Sequence, residues 1–210
     1  MTTDPDSRLP VLLMELLDGN LTHMLEREKS PLHYNTQIDL CYDIALAVTY
    51  LHSCDIIHRD LSSNNVLIIA GKRAKVTDFG MSKLVDAVTA KAMVTMCPGT
   101  LAYMPPEALR EPPNYTKKLD CFSEGVLIIQ VCTRLWPQPG PRCEVILDKQ
   151  FPTGVHEVPI PEPIRRKNHI DLVDPTHPLL PIALECLSYD ESDRPTSANI
   201  CDRITSLKMQ

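Results

Sequence analysis

No stretch of this chain approaches the roughly 20 consecutive apolar residues that a bilayer-spanning helix needs, so no membrane segment is expected. Lysine and arginine do not gather into a run that would track a phosphate backbone, and a formal charge of -6 with a sequence pI near 5.6 leaves no diffuse basic footprint. Tracking a phosphate backbone requires such cations, so nucleic acid is not expected as a main partner. The eight cysteines, at 41, 54, 97, 121, 132, 143, 186 and 201, include no C-x-x-C pair. Met1–Pro10 has neither the basic start nor the apolar stretch of a secretory signal. These absences favour reduced thiols, mostly in the core, and a soluble cytoplasmic (intracellular) protein. His23, His33, His52, His156, His169 and His177 show no H-x-x-x-H or mixed Cys/His spacing, and no serine sits in G-x-S-x-G. A metal site built on histidine and a serine hydrolase therefore lack support.

What is present is enough for a core: 210 residues, 43% of them hydrophobic, which we read as one domain. Val11–Met14 reads as a strand leaving into a connector at Asp18-Gly19, and a short helix with Leu21, Met24 and Leu25 on one side follows. From Thr36 to His52, Cys41, Ile44, Ala45, Val48 and Leu51 recur at helical spacing. Val66–Ile69 and Ala74–Thr77 flank a turn and predict a β-hairpin; Met81–Met96 lacks periodicity and reads as a long loop. Leu119–Leu135 reads as a helix buried nearly all round, with Gly125 implying a close packing neighbour. Trp136–Pro163 is proline-rich and reads as an irregular excursion, before closing helices over Leu179–Leu187 and Ser197–Leu207. The expected class is α+β, mainly α-helical, with one small hairpin.

Three motifs stand in order along this frame. His58-Arg59-Asp60-Leu61-Ser62-Ser63-Asn64-Asn65 matches H-R-D-L-x-x-x-N at every fixed position, and Asp78-Phe79-Gly80 follows the hairpin. Gly99-Thr100-Leu101-Ala102-Tyr103-Met104-Pro105-Pro106-Glu107 is similar to G-T-x-x-Y-M-A-P-E. Together these resemble the eukaryotic protein kinase family, from about Pro10 to about Leu207, tyrosine-kinase-like in flavour. The resemblance implies a kinase-like C-terminal lobe over 19–207, with 10–18 as the last small-lobe strand and hinge.

Phosphoryl transfer asks a protein for positioning, charge stabilisation and an acceptor for the substrate hydroxyl proton. By resemblance Asp60 is that acceptor, while Asn65 and Asp78 hold Mg2+ through hard oxygen atoms. ATP is implied as the phosphate donor, with Glu15 and Leu17 offering backbone groups to adenine, Met14 behind it and Leu67 beneath. Arg59 resembles the arginine that pairs with an activation-loop phosphate, for which Thr89 and Thr95 are candidate acceptors, and Thr100 lines the substrate cleft. Glu107 and Arg194 resemble a buried ion pair, and Asp120 the helix carboxylate that braces the His-Arg-Asp backbone.

Departures from the pattern matter as much. A complete kinase domain has a Gly-rich loop and a strand lysine ahead of the hinge; here there is no G-x-G, and the first lysine is Lys29. The small lobe is accordingly expected to be absent from this chain, leaving an apolar upper face for a partner or a further chain segment to cover. Ser62 leaves the acceptor class open, whereas Gly99-Thr100 and Tyr103-Met104 lean toward Ser/Thr. Pro105 replaces alanine, and Glu124 stands where the helix is expected to be apolar. Two readings result: a kinase acting on a protein substrate, weak or inactive as this chain alone, and a non-catalytic pseudokinase-like interaction module.

Overall fold

The apolar repeat of Cys41, Ile44, Ala45, Val48 and Leu51 falls on one side of a helix, and that side is buried. The computed structural model describes residues 2–3, 10–11, 15–28, 30–69, 72–79, 83–84, 100–109, 114–137 and 170–209. In chain order its elements are β1 (Thr2–Thr3), β2 (Pro10–Val11), β3 (Gly19–Asn20), α1 (Leu21–Arg27), α2 (Tyr34–Ser53), β4 (Ile56–Ile57), β5 (Val66–Ile69), β6 (Arg73–Val76), β7 (Lys83–Leu84), α3 (Lys118–Thr133), α4 (Leu179–Cys186) and α5 (Ser197–Lys208). Short 3-10 turns lie at Ser63–Asn65, Thr100–Tyr103, Pro106–Leu109 and Glu191–Asp193.

Side chains and helix ends explain where the elements differ from expectation. Helix α2 starts two residues before Thr36 because His33 caps it, its Nδ1 accepting from the Asn35 amide at 3.4 Å. Helix α3 stops at Thr133, since Arg134 takes a left-handed φ of 62° and returns its amide to the Gln130 carbonyl at 2.7 Å. The Arg134 guanidinium also donates to the Leu25 and Glu28 carbonyls, placing a cation on the carbonyl end of α1. Thr196 caps α5 by accepting from the Asn199 amide at 3.2 Å.

The hairpin forms with Val66 opposite Val76 and Ile69 opposite Arg73, so its second strand begins one residue earlier than predicted. Asp43 on α2 accounts for that shift: it accepts from Arg73 Nε and Nη2, at 2.7 and 2.5 Å, and from the Ala74 amide at 2.9 Å. Strand β3 adds to β5, pairing Gly19 with Ile68 and Asn20 with Leu67. Part of the predicted Met81–Met96 loop is strand instead, because β7 pairs antiparallel with β4. Two paired residues are too few to leave a period in the sequence. The rest of that loop, residues 12–14 of the predicted first strand, and the excursion beyond Pro137 lie outside the described residues.

Helices α2, α3, α4 and α5 share one core, to which Leu21 and Leu25 of α1 contribute. All residues from Leu119 to Val131 are buried, so α3 is the central helix of this core. Gly125 has the packing neighbour its position implied. A Cβ there would stand 2.6 Å from the Cys186 Cβ and 3.2 Å from the Ala183 carbonyl oxygen of α4. Glu124 is buried too: Ser197 donates to its Oε2 at 2.6 Å, while Oε1 has no partner among the described residues. A cavity of about 10 Å³ adjoins it, lined otherwise by Cys41, Ile44, Leu127, Ile128 and Ile200. Burial pushes the Glu124 carboxyl well above its ordinary pKa, outweighing the opposing bond from Ser197.

Two outcomes follow for stability. Gly125→Ala gains helix propensity of about 1 kcal/mol but forces α4 away, at about 1–3 kcal/mol, so the urea midpoint is expected to fall. A raised midpoint would mean that α4 stands farther off. Because the fold raises the Glu124 pKa, the folded state keeps a proton that the unfolded chain releases. That contribution is full below the ordinary carboxyl range and is lost as pH rises. Glu124→Gln is therefore expected to be more stable than wild type at about pH 8.5, and to lose less stability between about pH 6 and pH 8.5. Equal pH dependence in both proteins would place the titration elsewhere.

Candidate active site

Residues 58–60 leave β4 in a conformation that the local chain disfavours, since Arg59 has a φ of 70°. Asp120, in the first turn of α3 and fully buried, compensates. Its Oδ2 accepts from the His58 amide at 2.8 Å and its Oδ1 from the Arg59 amide at 2.9 Å. Oδ2 also accepts from His52 Nε2 at 2.9 Å. His52, one of the histidines whose spacing supported no metal site, is thus a further brace of the same carboxylate. Its place in the last turn of α2, ahead of His58-Arg59-Asp60, was the available signal.

His58 carries the bracing forward. Its Nε2 donates to the Thr77 carbonyl at 3.0 Å, and its Nδ1 accepts from the Asp60 amide at 3.3 Å. The ring therefore links the loop before β5 to the end of β6. Asn65 does the same from the other side, since the Thr77 amide donates to its carbonyl at 2.9 Å. The Asn65 Nδ2 then donates to the Asp60 carbonyl at 2.8 Å and to Asp60 Oδ2 at 2.9 Å. With its amide nitrogen committed, Oδ1 is the polar atom Asn65 has left to offer. Asp78 follows Thr77 directly, with a φ of 63° and an exposed side chain. Phe79 lies against His58, ring centroids 5.5 Å apart, and is 50% exposed.

Three carboxylate or amide groups thus gather at one end of the hairpin: Asp60, Asn65 and Asp78. Oxygen donors of this kind suit Mg2+, a hard cation that keeps several waters, so the residues present fit the metal that the motif implies. Arg59 is buried, with its guanidinium 4.3 Å over the Tyr115 ring. Thr100 opens a 3-10 turn, but its side chain lies outside the described residues, as do Met14, Gly80, Thr89, Thr95 and Gly99. Glu15 pairs with Lys75 on β6, and Leu17 precedes Asp18, whose amide donates to the Ile68 carbonyl at 3.0 Å. Leu67 is half-buried in β5, opposite Asn20. Residues 18–20 therefore run along the β5 edge of the hairpin.

Glu107 and Arg194 meet as a buried bidentate pair. The Arg194 Nη2 donates to Glu107 Oε2 at 2.9 Å and its Nη1 to Oε1. Every face of the guanidinium is used: Nε donates to the Ser188 carbonyl at 2.9 Å, and the plane stacks 4.9 Å from the Phe122 ring. This ties the 3-10 turn at Pro106–Leu109 to the start of α5.

With this geometry in view, comparison with known proteins identifies the class. Residues 2–204 match the protein kinase domain model. The chain is 30% identical over 198 residues to the probable serine/threonine-protein kinase kinX of Dictyostelium discoideum, covering 94% of this chain and 17% of that protein. It is 32% identical over 206 residues to the probable serine/threonine-protein kinase drkC of the same organism, covering 94% and 25%. It is 41% identical over 123 residues to the serine/threonine/tyrosine-protein kinase HT1 of Arabidopsis thaliana, covering 58% and 30%. The chain spans less than a third of the length of each of these relatives. It belongs to the eukaryotic protein kinase family.

Asp120→Ala leaves the His58 and Arg59 amides and the His52 ring without an acceptor, in a core position. A loss of about 3–5 kcal/mol in urea unfolding is expected. Asp120→Ala within about 1 kcal/mol of wild type would mean that the strained turn is held by something else.

Proposed function

We propose that this chain carries the phosphoryl-transfer face of a protein kinase that moves the ATP γ-phosphate to a protein serine or threonine hydroxyl. The observation that carries this reading is the Asp60–Asn65 pair at 2.9 Å, set beside Asp78 by the Thr77–Asn65 bond. Asp60 is the catalytic base. Asn65 donates to one of its carboxylate oxygens and so fixes how the group is presented to orient and accept from the substrate hydroxyl. Asn65 Oδ1 and the Asp78 carboxylate would hold Mg2+, which when bound with ATP offsets the charge of the phosphates. Glu15 and Leu17 supply backbone groups for adenine, with Met14 and Leu67 as apolar neighbours. Arg59 would pair with a phosphate on Thr89 or Thr95, and Thr100 lines the acceptor cleft. Asp120, Glu107 and Arg194 keep this face in shape and take no part in the chemistry.

In this reading residues 10–18 are the last small-lobe strand and hinge, and 19–207 the large lobe, acting in the cytoplasm where ATP is supplied. Leu16, in the segment read as hinge, is 98% exposed, and Phe79, beside Asp78, is 50% exposed. Their exposure supports a partner or a further chain segment over that face. It also supports little transfer by these 210 residues alone, since charge stabilisation weakens where water is not excluded. The same apolar exposure favours the second reading, a pseudokinase-like module that binds protein partners without catalysis.

Thermal unfolding with and without Mg-ATP separates the two. Kinase-like nucleotide binding stabilises the chain by about 2.7 kcal/mol at a hundredfold excess over Kd, and Asp78→Asn is expected to abolish the magnesium-dependent part. No shift at millimolar Mg-ATP favours the interaction module. In any form of the protein that phosphorylates, Asp60→Asn should cost about a hundredfold or more in kcat. Unchanged turnover would remove Asp60 from its role.

A further inference from the structure

Four buried polar side chains that the phosphoryl-transfer reading leaves unused meet beneath the loop carrying Asp60 and Asn65: Thr22 of α1, Ser63, Tyr103 and Gln130 of α3. Ser63 is fully buried, and Tyr103 and Gln130 are each 2% exposed, so each polar atom there must find a protein partner. They find one another. Tyr103 Oη donates to Gln130 Oε1 at 2.6 Å, Gln130 Nε2 donates to Ser63 Oγ at 3.2 Å, and Ser63 Oγ lies 2.8 Å from Tyr103 Oη.

Counting protons orders this triangle. An amide oxygen only accepts, so the single Tyr103 proton goes to Gln130. The Ser63–Tyr103 contact then requires Ser63 to donate. The three groups close a ring in which each donates once and accepts once. Ser63 keeps one lone pair, and the single Thr22 hydroxyl proton is shared between it and Asn64 Oδ1, at 2.6 and 2.8 Å. Residue 130 must both accept and donate here. A carboxylate could only accept; it would draw the protons of Tyr103 and Ser63 to itself and leave their oxygens facing each other with none between. Burial pushes the Tyr103 phenol above its ordinary pKa, which keeps the proton that the ring uses.

We infer that Gln130 is a positioning residue: through this closed, uncharged ring it holds the Asp60–Asn65 loop and the Thr100–Tyr103 turn on α3 as one unit. The two segments are far apart in sequence, and both carry residues assigned above to the transfer face. The inference rests on the kinase reading for the role of what is held, but the ring itself does not depend on nucleotide. Ser63 lies two residues from Asn65, whose own amide is held by the Ser62 carbonyl at 3.0 Å. Releasing Ser63 should therefore loosen the Asn65 side chain from Asp60 without unfolding the four-helix core.

Amide hydrogen exchange of the full 210-residue chain, without nucleotide, tests this. Tyr103→Phe, which opens the ring at every pH and adds no charge, is expected to speed exchange at residues 62–65 and 102–104 by about tenfold while α2 and α5 keep their protection. Gln130→Glu is expected to be faster than wild type at these residues at about pH 8.5 and to approach wild type at about pH 5, where a protonated carboxyl can donate and accept as the amide does. Gln130→Leu should show no such recovery. Unchanged exchange at 62–65 in Tyr103→Phe, equal acceleration throughout α2 and α5, or acceleration of Gln130→Glu that is the same at both pH values would overturn the assignment. Because the readout needs no ATP, a chain that fails to bind Mg-ATP would count against the kinase reading and leave the result for the ring intact.

Discussion

The cluster of Asp60, Asn65 and Asp78 depends first on the Asp120 carboxylate. A strand that must turn sharply into a loop at Arg59 can do so only in a left-handed backbone conformation, costing about 1–3 kcal/mol for a residue with a side chain. One buried carboxylate accepting from two successive backbone amides and from His52 outweighs that cost and gives the turn a single geometry. From there the bonds run outward: His58 reaches Thr77, Thr77 reaches Asn65, and Asn65 reaches Asp60. Asp60, Asn65 and Asp78 are consequences of where α3 begins.

Helix α3 acts as a post with several attachments. Its first turn supplies Asp120, its middle packs on α4 at Gly125 and on Ser197 at Glu124, and Gln130 closes the polar ring under Ser63. Arg134, just past its end, holds the carbonyl end of α1. A helix buried on all sides can do this only if the polar groups it carries are partnered, and most are. Among the described residues Glu124 is the exception, with one oxygen satisfied, the other without a partner, and a small cavity beside the side chain. Its raised pKa follows from the cost of an ionised carboxylate in such a place.

The two ends of the site are held by different physics. Glu107–Arg194 is a charged pair whose hydrogen-bonding capacity is used throughout, so removing either partner would strand a buried charge. The Ser63–Tyr103–Gln130 ring carries no charge and gains its specificity from proton order. A salt-bridge anchor and a neutral ring together constrain the segment from Thr100 to Leu109 from both sides, without requiring that segment to form regular secondary structure.

Much of this was legible in the residues themselves. The period of α2, the hairpin, the tight place for Gly125 and the three motifs all depend on local pattern or on fixed spacing, which a sequence carries directly. Helix ends moved by two residues where His33 and Arg134 acted, because a cap is a single side-chain contact with no period to announce it. Strand β7 escaped notice, since pairing with β4 is a property of two short segments brought together. The same holds for His52 on Asp120, Asp43 on Arg73, and Gln130 on Ser63. The sequence by itself determined the family, the order of elements and the identity of the groups available for chemistry. Which of those groups touch, which carboxyl keeps its proton and which amide can both donate and accept were decided only by the tertiary structure, because burial and hydrogen-bond partnership arise between residues that the chain places far apart.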